Sequence, residues 1–314
     1  MSVEDRAETE RLSALVRGFE GRRVVVLGDL IADQFVSGEI SRVSREAPVM
    51  ILRHERTETV PGGAANCAMN LAALGARAAI VGVVVAAGHG TTTKMRILAG
   101  HLHSTRQQVV RMDYESGVLK DEGVLADLAA NVRAAFEKSD AAVVSDYNYG
   151  VACKTTVAPL RSSNRHVPVA VDSRFRMREF AGFDSATPNE DEVEQVAGRR
   201  FADADELAEE GERLRAELEY KSLLITRGKH GMVLLEEGKR PLHLGAVGSH
   251  DAVDVTGAGD TVIATYALAL ASGADYATAA RLANHAGGIV VLKRGTACVH
   301  PQELLASLEH EGQV

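Results

Sequence analysis

Tryptophan is missing from this chain, and Phe and Tyr bring the aromatic share to only 4%. A pocket built from so few rings reads hydroxyls and phosphates better than flat apolar ligands. Cysteine is scarce and odd in number: Cys67, Cys153 and Cys298 lie far apart, with no CxxC. Neither a zinc site nor a disulfide framework is legible, which fits a reducing cytoplasm. Long apolar runs are also absent. Ala78 to Gly88 and Val262 to Ala271 fall short of the roughly 18 residues a membrane span needs. The first twenty-odd residues are charged throughout, so no secretory leader is expected. Positive charge is in deficit, 35 Lys and Arg against 43 Asp and Glu, for a net charge of −8. That balance argues against nucleic acid or an anionic membrane as partner, and leaves room for a local basic pocket. No GxxxxGK[ST] occurs, which excludes the P-loop kinases.

Glycine, in contrast, is plentiful, with 29 in 314 residues, and its placement carries the functional signal. The surrounding pattern predicts alternating strands and helices. Leu12, Leu15, Val16 and Phe19 recur at helical spacing, and Val24 to Leu27 form a β-branched run closed by Gly28. The pieces AAIVGVV, AAVVSDY, VPVAVDS and KSLLIT are apolar throughout. Such strands belong to a parallel sheet buried on both faces. VMILRHERTETV, TTTKMRILA and QQVVRMD carry polar alternation. TTVAPLRSSNRH reads as a helix interrupted by Pro159. The expectation is one α/β domain over residues 1–314: a three-layer, mostly parallel sheet with helices on both faces. A small β lid from about 36–60 and 91–113 is expected to cover it.

The segment Asp254-Val-Thr-Gly-Ala-Gly-Asp260-Thr261 runs straight into an apolar helix. The N–H groups of Gly257, Ala258 and Gly259 can then point at one anion. Asp260 lies in the first turn, where the helix dipole favours its ionised form. A carboxylate beside such donors suits phosphoryl transfer: it takes the proton of an attacking hydroxyl while the N–H groups hold the moving phosphoryl oxygens. Alone, the pattern fits a capped helix with a glycine-rich entry better. Three further clusters add weight. Pro61-Gly62-Gly63-Ala64-Ala65-Asn66 opens a helix with an amide suited to sugar hydroxyls. Asp29 and Asp33 follow the first strand, and ligands of open α/β sheets bind beyond the carboxyl ends of the strands. Thr226-Arg227-Gly228-Lys229-His230-Gly231 links two strands and can meet a nucleotide phosphate.

The order of these clusters resembles the ribokinase (PfkB) family of sugar kinases from about Arg23 to Leu304. DVTGAGDT is the most specific match, and Asn189-Glu190-Asp191-Glu192 matches the family's Asn-x-x-Glu motif. The resemblance implies an ATP- and Mg²⁺-dependent carbohydrate kinase. It makes Asp260 the base and Gly257 to Gly259 the anion hole. Asp33, Gly62, Gly63, Asn66 and Asp172 fall on the sugar side. Asn189 and Glu192 govern phosphate and, indirectly, Mg²⁺. Thr226, Arg227, Gly228, Gly231 and Asn284 face the nucleotide. It also permits a monovalent cation, K⁺, near Asp254 and Thr256. A homodimer paired through the lid is expected.

Within the family the text is most similar to the heptose 7-phosphate kinases. The matching pieces are GDLIADQF, SRVSREAPVMIL, TTTKMRIL, RMDYE, SDYNYG and GTACVHPQEL. The implied acceptor is the anomeric hydroxyl of D-glycero-D-manno-heptose 7-phosphate, with Lys94, Arg96 and Arg111 suited to its phosphate. Another sugar or a nucleoside remains an alternative acceptor, and a non-catalytic sugar-phosphate sensor an alternative of another class. Departures stand at Arg45, Tyr149 and Ser173-Arg174, where those kinases have Pro, Lys and Pro-Lys. No nucleotidyltransferase half follows Val314, so adenylyl transfer is expected to need another protein. Finally, the family places a helix and a strand between AAIVGVV and TTTKMR, and only about six residues intervene here. Losing a buried unit would bare a sheet edge, so an interruption of the chain between about Gly82 and Gly90 is expected instead.

Overall fold

A computed structural model of the protein describes residues 3–86, 88–100, 106–162, 167–248 and 252–311. The central sheet has eight strands: β1 (Arg23–Gly28), β4 (Arg77–Val81), β7 (Ala141–Asp146), β8 (Val169–Ser173), β9 (Ser185–Ala186), β10 (Ser222–Thr226), β11 (Met232–Glu236) and β12 (Leu242–Leu244). Their spatial order is β12-β11-β10-β9-β8-β7-β1-β4. All pairs from β10 to β4 are parallel, and β10-β11-β12 form an antiparallel margin.

Side-chain alternation along β1 separates two cores. Val24 and Val26 pack with Phe19, Leu71, Ile263 and Leu282 on one face. Val25 and Leu27 pack with Val132, Val157, Leu207 and Phe180 on the other. The first face is covered by α1 (Val3–Arg17), α2 (Ala64–Ala73), α7 (Ala258–Ala271), α8 (Tyr276–Val290) and α9 (Pro301–Glu311). The second is covered by α3 (Glu122–Phe136), α4 (Lys154–Arg161), α5 (Glu190–Ala197) and α6 (Ala204–Glu217). The expected three layers are present. Pro159 lies inside α4 rather than breaking it. The helix ends two residues later, so one lost N–H costs it little. The rest of that expected helix, residues 163–166, lies outside the described residues.

A second, four-stranded sheet has the order β3-β2-β5-β6. It comprises β2 (Leu30–Val43), β3 (Met50–Gly63), β5 (Thr92–Gly100) and β6 (Gln107–Tyr114). Only Asp29 separates β2 from β1, so this sheet grows from the carboxyl end of the central one. Residues 101–105, within the expected lid span, lie outside the described residues.

The interruption expected between Gly82 and Gly90 falls on a short link that includes Ala87, which lies outside the described residues. The flanks of the segment meet where Ala86 and His89 exchange two backbone hydrogen bonds, at 2.9 and 2.8 Å. Among the described residues no helix or strand lies between β4 and β5. β4 is the edge of the sheet, and Ile80 within it and Val84 and Val85 just beyond it are 47%, 63% and 76% exposed.

Candidate active site

The site forms where the carboxyl ends of β1, β7, β8 and β10 meet the start of α7. Asp29 sets its floor. This buried carboxylate accepts the N–H groups of Tyr147, Tyr149 and Val151 at 2.8, 3.1 and 3.1 Å. Burial pushes its pKa up against those three donors. Asp29 therefore anchors the loop after β7 and does not meet a sugar. Asp146 at the end of β7 is paired with Arg176 and accepts the Ser173 hydroxyl at 2.7 Å. This ties the ends of β7 and β8 together.

Asp260 is buried in the first turn of α7. Tyr147 donates its hydroxyl to Asp260 Oδ1 at 3.0 Å, and Asn66 donates Nδ2 to Oδ2 at 2.8 Å. Burial pushes the Asp260 pKa up to about 7. The Asn66 bond pulls the other way, the nearby Asp172 charge adds to the rise, and the Tyr147 bond again opposes it. A carboxylate titrating near neutrality is suited to take a hydroxyl proton. Gly257 precedes it with φ +77°, and a Cβ there would overlap Asn66 Nδ2. Glycine is thus required by the backbone angle and by the packing of Asn66 under the base. The anion hole is narrower than expected. Ala258 N–H is donated to the Val255 carbonyl at 3.2 Å. The N–H groups of Gly257 and Gly259 have no acceptor among the described residues.

Two cavities meet at this turn. The first, about 350 Å³, is lined by Asp33, Gly63, Lys94, Arg96 and Arg111 on one side. Asp172, Arg174, Thr187, Asn189, Glu192 and Thr226 line the other, with residues 255–260 between. The second, about 190 Å³, is mostly apolar. It holds Gly228, Lys229, Gly231, Met232, Val247, Asn284, Gly287 and Val291. Thr226, Val255, Ala258 and Gly259 line both. A polar chamber and an apolar slot therefore share a wall at Thr226, Val255, Ala258 and Gly259.

The structure gathers most of the expected site residues and reassigns several. Asn66 is fully buried and lines neither cavity, so it holds Asp260 and not a sugar hydroxyl. Gly62 likewise stays outside; its missing Cβ makes room for the Asp33 carboxylate. Asp33 is buried and bonded to Arg96. Arg111 forks onto Asp113 at 2.8 and 2.6 Å, and Lys94 lies 3.8 Å from the same carboxylate. Arg227 turns to Glu190 at 3.3 Å and lines neither cavity. Asn284 lines the apolar slot and donates to the Gly245 carbonyl at 2.6 Å. Asn189 and Glu192 cap α5 reciprocally. Glu192 and Asp172 are both pushed up, each first by burial, with the Glu192 charge adding to the rise at Asp172. Sequence reasoning gave no role to Tyr147, Thr187 or Arg174. Only the SDYNYG and Ser173-Arg174 comparisons touched two of them.

Whether absent groups fit can be read from the donors. Among the described residues no three His, Cys, Asp or Glu side chains converge as a metal site. Glu192 and Asp172 fit Mg²⁺ held through water and phosphate oxygens. The buried Thr187 Oγ1 has no partner and lines the polar chamber. Thr296 Oγ1, beside Gly257, is also buried without a partner. Nearby, Asp254 accepts the N–H groups of Thr256 and Gly295, both at 2.9 Å. Burial would raise the Asp254 pKa, but these bonds leave it lowered. An ionised carboxylate and an orphan hydroxyl fit a monovalent cation.

Comparison with known proteins gives the same direction. The pfkB family carbohydrate kinase model matches residues 83–302. The bifunctional protein HldE of Pseudomonas paraeruginosa is 40% identical over 317 positions, covering 93% of this chain. HldE of Azotobacter vinelandii is 40% identical over 318 positions, with the same coverage. The chain spans 65% of the length of these relatives. Those alignments are longer than the whole chain while covering only part of it, so the relatives carry residues in the shared region that this chain lacks. Among solved structures, phosphofructokinase-2 from Escherichia coli in complex with potassium superimposes with a TM-score of 0.69 at 16% identity. That match covers 92% of this chain and 99% of the other. Arabidopsis thaliana ribokinase, complexed with ribose and ATP, gives 0.62 at 17% identity with the same coverage.

Proposed function

This chain belongs to the pfkB family of carbohydrate kinases and has a ribokinase-like fold, and from that premise we propose that it phosphorylates the anomeric hydroxyl of D-glycero-D-manno-heptose 7-phosphate, using ATP and giving the 1,7-bisphosphate. The observation that carries the reading is the placement of Asp260. It lines the polar chamber together with Asp33, fixed by Asn66 and Tyr147, and directly follows Gly259, which lines both cavities.

In this reading Asp33, held by Arg96, accepts sugar hydroxyls, and Lys94 and Arg111 receive the phosphate the sugar already bears. Asp260 takes the proton of the anomeric hydroxyl. That oxygen bonds to the γ-phosphorus as the bond to the β,γ-bridging oxygen breaks, and ADP departs with the bridging oxygen. The N–H groups of Gly257 and Gly259 receive charge on the moving phosphoryl group. The adenine lies in the apolar slot by Asn284. Asn189 and Glu192 would hold Mg²⁺ through water. When bound, the ion neutralises phosphate charge. K⁺ would sit by Asp254, Thr256 and Thr296. The four-stranded sheet acts as a lid over the domain and pairs two subunits. A reducing cytoplasm suits Cys67, Cys153 and Cys298, all free. Among the described residues no helix is long and apolar enough to cross a membrane.

The test is ADP release over a panel of heptose 7-phosphate, fructose phosphates and ribose. The highest kcat/KM is expected with heptose 7-phosphate. A higher value for another acceptor would replace the substrate, and no release with any would favour the sensor reading.

A further inference from the structure

The cations in the polar chamber are not equivalent. Arg96 is engaged by Asp33, while Arg111 and Lys94 share Asp113. Arg174 lines the same chamber and forms no ion pair or side-chain hydrogen bond among the described residues. Its guanidinium carbon lies 5.8 Å from the ring of Phe175, its own neighbour. Its backbone is fixed. Arg174 N–H donates to the Asp146 carbonyl at 3.2 Å, and Ser173 Oγ bridges Asp146 and the Arg176 N–H at 2.7 and 3.1 Å. A free guanidinium thus projects from an anchored strand end.

Its surroundings say what it waits for. The Arg174 charge acts on Asp172 and Glu192 on the nucleotide side and on Lys94 on the lid side. It therefore stands between the two halves of the chamber. The carboxylates there already have other engagements or oppose one another, and none pairs with it. A planar fork with unfilled donors, lining the same chamber as the glycine hole, matches the oxygens of a phosphoryl group in transit.

We propose that Arg174 is a catalytic residue that grips the γ-phosphoryl group of the nucleotide during its transfer, while Lys94 and Arg111 face the phosphate of the sugar. This rests on the kinase reading above, but not on the identity of the sugar.

Calorimetric binding of ADP and of the non-hydrolysable β,γ-imido analogue of ATP, with Mg²⁺ in both cases, separates the two. In Arg174→Gln the analogue should lose about tenfold in affinity and ADP should be unchanged. With whichever acceptor the wild type uses, kcat should fall about 10²–10³-fold, and Arg174→Lys should restore part of it. Equal loss for both nucleotides would overturn the proposal. So would an unchanged kcat with a raised KM for the sugar phosphate, which would assign Arg174 to the acceptor. If no acceptor is found for the wild type, the function reading fails. Selective loss of analogue affinity would then still uphold the contact with the γ-phosphoryl group, and its absence would reject it.

Discussion

The Tyr147 hydroxyl donates to Asp260 Oδ1 at 3.0 Å across 113 residues of sequence. The bond stabilises the ionised base, while Asn66 holds the second oxygen at 2.8 Å. Tyr147→Phe should raise the Asp260 pKa, because a bond that lowers it is lost. The alkaline rise of kcat/KM should move to higher pH, and kcat at pH 7 should fall about tenfold. A pH–rate profile of both proteins checks this. An unshifted profile with lower kcat would leave Tyr147 a purely structural role.

Asp260→Asn should abolish turnover while nucleotide still binds. It should also stabilise the fold in a pH-dependent way. The folded protein keeps the Asp260 proton up to about 7, whereas an ordinary Asp releases it near 3.8. Between those values the native state binds more protons than the unfolded one, so stability falls as pH rises. The gain from Asn should be small at pH 4 and on the order of 2–4 kcal/mol at pH 8. Urea unfolding at the two pH values measures it. Equal gains at both would mean that Asp260 is not a buried acid.

Asp33 and Arg96 should act as a unit toward the sugar. Arg96→Ala leaves the Asp33 carboxylate buried and unpaired, so Asp33 is expected to lose its aim at the sugar. KM for the acceptor should rise about tenfold or more while KM for ATP stays within about twofold. Steady-state kinetics with each substrate varied in turn tells these apart.

How far the sequence could be read follows from the range of each signal. The turn at Gly257 to Asp260 was legible because its chemistry lies within four consecutive residues. The central strands were legible because burial on both faces makes them apolar throughout. Three-residue β12 was not, since so short a strand leaves no period. Asn66 was taken for a sugar ligand because its spacing after Gly62-Gly63 shows exposure to neither sugar nor solvent. Only α7 folding over α2 makes it a partner of Asp260. Arg227 was placed on a phosphate because nothing local reveals Glu190, 37 residues away. The short link after β4 is visible in the sequence as a count, and the structure adds that β4 is an edge strand with Ile80 exposed.

The Asp254 loop predicts a response to monovalent cations. Replacing Na⁺ by K⁺ in the assay should raise kcat, because a cation beside residues 254–257 reinforces the positive field at the glycine hole. Thr296→Val removes a hydroxyl that has no other partner. It should weaken the K⁺ response while leaving the folded state intact. A wild type indifferent to K⁺ would remove the ion from this site.

Asp146 and Arg176 form the most consequential buried ion pair near the site, with the Asp146 side chain wholly inaccessible. Their worth is better judged by what breaks than by what they add. Arg176→Ala leaves a buried carboxylate served only by Ser173 Oγ and the Asn148 N–H. The expected loss is about 3–5 kcal/mol. The double variant Asp146→Asn/Arg176→Ala removes the stranded charge and should recover a large part of that loss. Activity should return with it, because the Arg174 N–H keeps the backbone carbonyl of residue 146 and Ser173 Oγ keeps the backbone N–H of residue 176. Urea midpoints for the single and double variants, read beside kcat, test both halves. Additive losses in stability would show that the two residues do not act as a pair.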